Sequence, residues 1–279
     1  MDIAQAIVEN PHLSLRRASD ERDVAPDEVR NILKSINFHP YKVHLVQEVN
    51  EDDPDRRVEF CEIMMDRIDR DPLFLYNTVF SDEATFTLKG EVNRQNCRYW
   101  SDTNPDWMLE SHTQYPQKIN VWAGILNDTL IGHFFIDGNL NARAYEELLR
   151  NQIVPRIREI TGDNFQNIWF QQDGAAAHYG RVVRAYLDIQ FPHRWIGRRG
   201  EIEWPARSPD LTPLDYFLWG YLKSKVYSTQ PQSLDELQNR ILHEATLIDR
   251  EMIRNAVTHF YNRIAFCQEA QGFQFEHLH

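Results

Sequence analysis

Cysteine is scarce in this 279-residue chain: Cys61, Cys97 and Cys267 are widely spaced and odd in number. Such a set builds neither a disulfide framework nor a zinc pattern, so a reducing compartment is expected. Long apolar runs are missing too. No stretch approaches the roughly eighteen residues of a membrane span, and none is expected. The first ten residues, MDIAQAIVEN, lack the basic and apolar layout of a secretion signal. Positive charge is in deficit, with 30 Lys and Arg against 42 Asp and Glu and a net charge of −12. That balance argues against a general nucleic-acid coat protein, whose phosphate contacts need Lys and Arg. It leaves room for a basic groove beside a carboxylate site, and HRWIGRRG (193–200) and KSK (223–225) are local basic clusters. What the chain does have is 42% apolar and 12% aromatic residues, enough for one large domain plus a small one.

Three regions separate by pattern. Residues 1–40 read as short helices joined by tight turns, with Ser14 as a cap, Pro26 at a helix start, and Val29, Ile32 and Leu33 on one face. This suits a helix-turn-helix with Asp27–Lys34 as recognition helix and Arg30 and Lys34 as its DNA contacts. A plain helical cap is the alternative. Residues 41–76 read as a helical linker with an apolar stripe of Phe60, Ile63, Met64, Ile68, Phe74 and Leu75. From residue 77 the texture changes. TVFSDEATFTL, CRYWS and INVWAGIL suggest three neighbouring antiparallel strands, which HFFIDGNLN extends or follows with a further short one. A helix over 142–159 with Pro155 as a kink, a strand over 167–172, a helix from His178, a short strand at RWIG and a helix from Pro213 come next. Helices over 233–247 and 249–268 close the chain, with Leu234, Leu237, Ile241 and Leu242 as packing positions. The order predicts an α/β fold, a mixed sheet flanked by helices.

Two of the strands are interrupted by an acid. Asp82 sits inside VFSDEATF, and Asp173 ends NIWFQQD before the small residues Ala175–Ala177, which suit a helix start. A carboxylate in an apolar run is costly to bury unless it is paired or bound to a cation. Asp82 and Glu83 must face opposite sides of their strand. If the two strands are neighbours, Asp82 and Asp173 meet and repel, and a shared proton or a divalent cation relieves them. Asp215, in the first helical turn of SPDLTPLDYFLWG, is the third candidate; complementing the helix dipole is its bland alternative. Asp210 reads as a cap or brace. Glu83 reads as solvated or paired, Trp100, Trp107, Trp122, Trp169 and Trp219 as core, and Arg198 and Arg199 as phosphate contacts or solvated surface. His178 either orients a group next to Asp173 or has a structural partner. Three acids without a His/Cys cluster favour Mg2+ or Mn2+ over zinc, and two such ions roughly 3.5–4 Å apart suit in-line displacement at phosphorus.

FSDEATF, WFQQDGAAAH and RSPDLTPLDYFLWG, in that order, resemble the segments that carry the catalytic acids of mariner-type DNA transposases. VNRQNCRYW, KINVWAGI and FIDGNLN look similar as well, and the resemblance runs from about residue 12 to about residue 245. It implies a ribonuclease H-like catalytic domain over 77–279, with Asp82, Asp173 and Asp215 as catalytic and metal-holding acids and Asp82 between two ions. It further implies double-stranded DNA as substrate, a homodimer, a nuclear setting and no membrane. The chain departs from the pattern in three places. Forty-one residues lie between Asp173 and Asp215, more than in mariner elements, with the excess placed in GRRGEIEW (197–204). Ala176 stands where that motif usually has Pro, and only one of two helix-turn-helix units is evident. A decayed or host-adopted DNA-binding protein without catalysis is the second reading. A two-carboxylate sugar hydrolase is the third and fits the ordered motifs poorly.

Overall fold

The computed structural model describes residues 3–9, 13–38, 47–88 and 117–276. The chain divides into two units, Met1–Val46 and Gln47–His279. In the first, α1 (Ile3–Glu9), α2 (Leu15–Arg22) and α3 (Pro26–Ser35) enclose Ile3, Ala18 and Val29, with Ile32 and Leu33 packed alongside. Ser14 caps α2 by accepting from the Arg17 backbone N–H at 3.2 Å, and Pro26 opens α3 without forfeiting a hydrogen bond. Arg30 and Lys34 are exposed on α3, and Arg30 donates to Asp27 at 3.0 Å.

The second unit begins with α4 (Asp53–Arg70), which packs into the same body as the sheet and so is no free-standing linker. Phe60, Met64, Phe74 and Leu75 of the expected stripe are buried, whereas Ile63 is exposed. Among the described residues five strands form one sheet: β1 (Thr78–Thr87), β2 (Lys118–Leu126), β3 (Thr129–Ile136), β4 (Trp169–Gln171) and β5 (Trp195–Ile196). Their order is β3-β2-β1-β4-β5, antiparallel through β3, β2 and β1 and parallel from β1 to β5. HFFIDGNLN supplies β3, a strand of its own. CRYWS, with Trp100, Trp107 and Cys97, lies outside the described residues.

The sheet separates two helical layers. On one side lie α5 (Ala142–Leu148), α6 (Val154–Thr161) and α7 (Arg181–Gln190), with Val79, Trp122, Tyr145, Phe170 and Leu187 among the buried residues. On the other, α4, α8 (Gly220–Val226), α9 (Leu234–Thr246) and α10 (Arg250–Glu269) bury Phe60, Phe80, Phe86, Leu222, Ile241 and Phe260. Phe80 and Val79 fall in different layers because successive residues of a strand point to opposite faces. The helix expected over 142–159 is held apart by a π-helical stretch, Leu149–Ile153, with Pro155 near the start of α6, where its missing N–H costs least. Ala175–Ala177 do not begin a helix: residues 176–179 form a turn, and α7 starts at Arg181. Ala176, where the motif usually has Pro, therefore lies in a turn and not in the first turn of a helix. Leu237 and Ile241 are buried as expected, and Leu242 is not.

Candidate active site

Strand register brings the first two acids together. β1 and β4 run parallel, with Thr78 opposite Trp169 and Phe80 opposite Gln171. Asp173 lies two residues beyond Gln171 as Asp82 lies two beyond Phe80, and the charge of Asp173 is felt at Asp82. Gln171 reinforces the pairing: its backbone carbonyl accepts from the Ser81 hydroxyl at 2.6 Å, and its side-chain oxygen accepts from the Ser81 N–H at 3.1 Å. Asp215 arrives from the other layer, in the first turn of a π-helical stretch, Leu214–Trp219, that leads into α8. Trp219, one turn on, donates its indole N–H to Asp82 Oδ2 at 2.8 Å. Upstream of Asp215, the fully buried Arg57 of α4 holds the loop. Its guanidinium donates to both Asp210 oxygens at 2.8 and 2.6 Å, to Ser208 Oγ at 2.7 Å and to the Gly272 carbonyl at 2.7 Å. Asp210 is thus a brace.

The three acids disturb one another. Burial, then the charges of Asp215 and Glu83, push Asp82 well above the usual carboxylate range, against the Trp219 hydrogen bond. Asp215 is raised to about 7 by the protein packed around it and by the charge of Asp173, with Lys223 opposing. The residue still reaches solvent, which screens part of that shift. Asp173 goes the other way. Burial would raise it, but His178 and the Ala175 N–H outweigh burial and leave it below its ordinary value. Asp173 Oδ1 takes both bonds, from His178 Nδ1 at 2.5 Å and from the Ala175 N–H at 2.9 Å.

His178 is buried, its ring centroid 4.3 Å from that of Tyr145. Its Nε2 lies 3.2 Å from Glu83 Oε2, an ion-pair distance without hydrogen-bond alignment. Burial opposes the imidazolium, but the Glu83 charge and the Asp173 hydrogen bond prevail and lift His178 to about 10. Glu83, read from the sequence as solvated or paired, is therefore paired, and it reaches the neighbourhood of Asp173 from the face of β1 opposite Asp82. Glu83 and Trp219 are the contributors that the sequence reading did not assign to the site. Strand alternation was the available signal for Glu83, and the one-turn spacing from Asp215 for Trp219.

Among the described residues no three His, Cys, Asp or Glu side chains converge on a common point at ligand distance. The acids are gathered without being closed. Their chemistry nonetheless suits a hard divalent cation: three carboxylate donors, two held at raised pKa by mutual repulsion and burial.

Arg198 and Arg199 lie on an ordered turn. Gly200 N–H bonds the Gly197 carbonyl at 2.9 Å, and Gly197 N–H bonds that of Ile202 at 3.0 Å. The far end of the 197–204 segment is buried through Ile202 and Trp204. Arg198 stacks 4.1 Å over Tyr179, and its side chain runs beside Gly174, the residue after Asp173. Arg199 is exposed.

No family model matches the chain. It is 28% identical over 199 residues to the Tc3 transposase of Caenorhabditis elegans, covering 70% of this chain and 56% of that protein. It is 28% identical over 175 residues to the Tcb2 transposase of Caenorhabditis briggsae, covering 58% of each. The chain thus spans a little over half the length of the curated relatives it matches. Among solved structures, a pre-cleavage Mos1 transpososome superposes with a TM-score of 0.78 at 20% identity, over 98% of this chain and 79% of that one. The Mos1 mariner paired-end complex with Mn gives 0.77 at 20% identity, with the same coverage. The isolated catalytic domain of the Mos1 mariner transposase gives 0.63 at 22% identity, over 84% of this chain and all of that one. The resemblance read from the sequence is borne out: the chain is similar to transposases of the mariner type, and its fold is theirs.

Proposed function

We propose that this chain is a divalent-metal-dependent DNA transposase that cuts and rejoins phosphodiester bonds at transposon ends, with Asp82, Asp173 and Asp215 as its catalytic acids. The observation that carries the reading is the gathering of those three carboxylates, from two adjacent strands and one helix, into a cluster that raises two of their pKa values. Similarity to the Tc3 and Tcb2 transposases supports the DNA substrate. The Mos1 mariner paired-end complexes with Mn and with Mg support the metal.

The three aspartates would hold Mg2+ or Mn2+, and we assign two ions. When bound, such ions supply Lewis-acid stabilisation of a phosphodiester in displacement and lower the pKa of an attacking water. The chain's own part is to position and to exclude alternatives. His178 keeps Asp173 anionic and oriented, while Trp219 fixes one oxygen of Asp82. Arg198, whose side chain runs beside Gly174, and the exposed Arg199 on the same turn would receive DNA phosphate, and the Met1–Val46 unit, through Arg30 and Lys34, would contact double-stranded DNA. In the first step a water oxygen bonds to phosphorus and the 3′-oxygen leaves with a proton. In the second, that 3′-hydroxyl loses its proton and bonds to a target phosphorus, and the target strand's own 3′-oxygen leaves with a proton. Joining two ends implies a homodimer, and the substrate implies the nucleus.

A decayed, purely DNA-binding copy is the rival. Asp215→Ala separates the two. If the variant melts as the wild type does and loses metal-dependent cleavage, the catalytic reading stands. Wild-type cleavage that persists in chelator, or in folded Asp215→Ala, rejects it.

A further inference from the structure

The acid next to Asp82 in sequence is the one the proposed chemistry leaves unused. Glu83 points to the opposite face of β1, into the layer of α5–α7, and cannot join Asp82 as a ligand. Its Oε2 instead meets His178 Nε2 at 3.2 Å, while His178 Nδ1 meets Asp173 Oδ1 at 2.5 Å. A buried imidazole is thus held between two carboxylates, one on each ring nitrogen, and the Tyr145 ring packs against it at 4.3 Å with the planes tilted by 37°. The Ala175 N–H also falls on Asp173 Oδ1. Both constraints use the same oxygen, which leaves Oδ2 as the oxygen neither of them engages. Glu83 Oε1 is buried without a hydrogen-bond partner. Keeping a half-satisfied carboxylate there is costly for packing alone.

We propose that Glu83 is a positioning residue for Asp173: through His178 it fixes which carboxylate oxygen faces the metal-holding site, and so sets the site's affinity for a divalent cation. Carboxylate–imidazole chains behind a metal-holding group orient it, and their loss commonly costs about 10–100-fold in metal affinity. The inference rests on the reading of Asp173 as a metal-holding acid.

The test uses the full chain with Mn2+ as probe. Glu83→Gln keeps shape and an acceptor but removes the charge, and Glu83→Asp keeps the charge on a shorter arm. Mn2+ affinity is measured by titration, thermal melting in chelator verifies folding, and plasmid nicking is followed against Mn2+ concentration. Expected for folded Glu83→Gln is an affinity lower by about 10–100-fold, with nicking recovered at high Mn2+, so that the half-saturating metal concentration moves more than the maximal rate. Glu83→Asp should fall between the two. An affinity within twofold of wild type in Glu83→Gln overturns the proposal. If the wild type itself takes up no Mn2+, it is the reading of the three acids that fails. The role of Glu83 is then decided by a metal-free crystal structure of Glu83→Gln: a turned imidazole and a displaced Asp173 carboxylate uphold it, and an unchanged Asp173–His178 pair rejects it.

Discussion

The indole N–H of Trp219 donates to Asp82 at 2.8 Å, tying the helical turn that carries Asp215 to the strand that carries the first acid. The tie spans the two sides of the site, since Asp82 belongs to the sheet and Trp219 to the layer packed against it. It also opposes the forces that raise Asp82. Trp219→Phe removes the donor and keeps an aromatic ring beside Phe86. It should reduce metal-dependent cleavage by roughly tenfold or more, in line with other changes behind a metal-holding group. Stability should fall by only about 0.5–3 kcal/mol, the ordinary range for a single substitution. Cleavage rate and denaturant midpoint, measured side by side, check it.

Asp215, raised to about 7, gives a pH dependence with a definite sign. Unfolded, the carboxyl ionises near pH 4. Between roughly pH 4 and 7 the folded chain therefore holds a proton that the unfolded chain has released, and stability drops as pH rises through that window. Asp215→Asn removes the penalty. In chelator at pH 8 it should melt roughly 2–4 °C above wild type, equivalent to about 1 kcal/mol in a unit of this size. Solvent access at Asp215 keeps the figure modest. At pH 4 the two should melt together, and added Mn2+ should raise the wild type more than the variant. Scanning calorimetry at the two pH values reads all three effects.

Arg57 is a buried charge that donates to Ser208 and Asp210 in the loop before Asp215 and to the Gly272 carbonyl in the C-terminal turn. Arg57→Ala strands the Asp210 carboxylate, only 13% of whose side chain is exposed, and should cost about 3–5 kcal/mol in denaturant unfolding. Arg57→Lys keeps the charge but not the planar fork, and should lie between the two.

In the first unit, Ser14 accepts from the Arg17 N–H at 3.2 Å. Ser14→Ala should cost about 1 kcal/mol locally. Hydrogen exchange on the full chain should then quicken over Leu15–Arg22 and leave the sheet unchanged.

Strand alternation and the acids interrupting apolar runs were enough to anticipate the mixed sheet and the approach of Asp82 to Asp173, because both follow from local rules. Pro26 and Ser14 marked helix starts for the same reason. Ala175–Ala177 have helix-forming side chains and read as a helix start, but the Ala175 N–H to Asp173 Oδ1 and the His178 N–H to the Ala175 carbonyl hold the segment in a turn instead, and α7 begins later. Ile63 and Leu242 fit an apolar stripe yet stay exposed, since the stripe is wider than the surface that covers it. The roles of Glu83 and Arg57 depend on partners 95 and 153 positions away, His178 and Asp210. No periodicity reports such pairings.

The most direct measurement is nicking of supercoiled plasmid by the metal-free chain before and after Mn2+ or Mg2+ is added, with Asp173→Ala alongside. A plasmid requires no knowledge of the recognised sequence. Nicking that begins with the ion and is absent from folded Asp173→Ala is the expected result. Nicking at the same rate in that variant, or in chelator, would contradict a metal-dependent site built on these three aspartates.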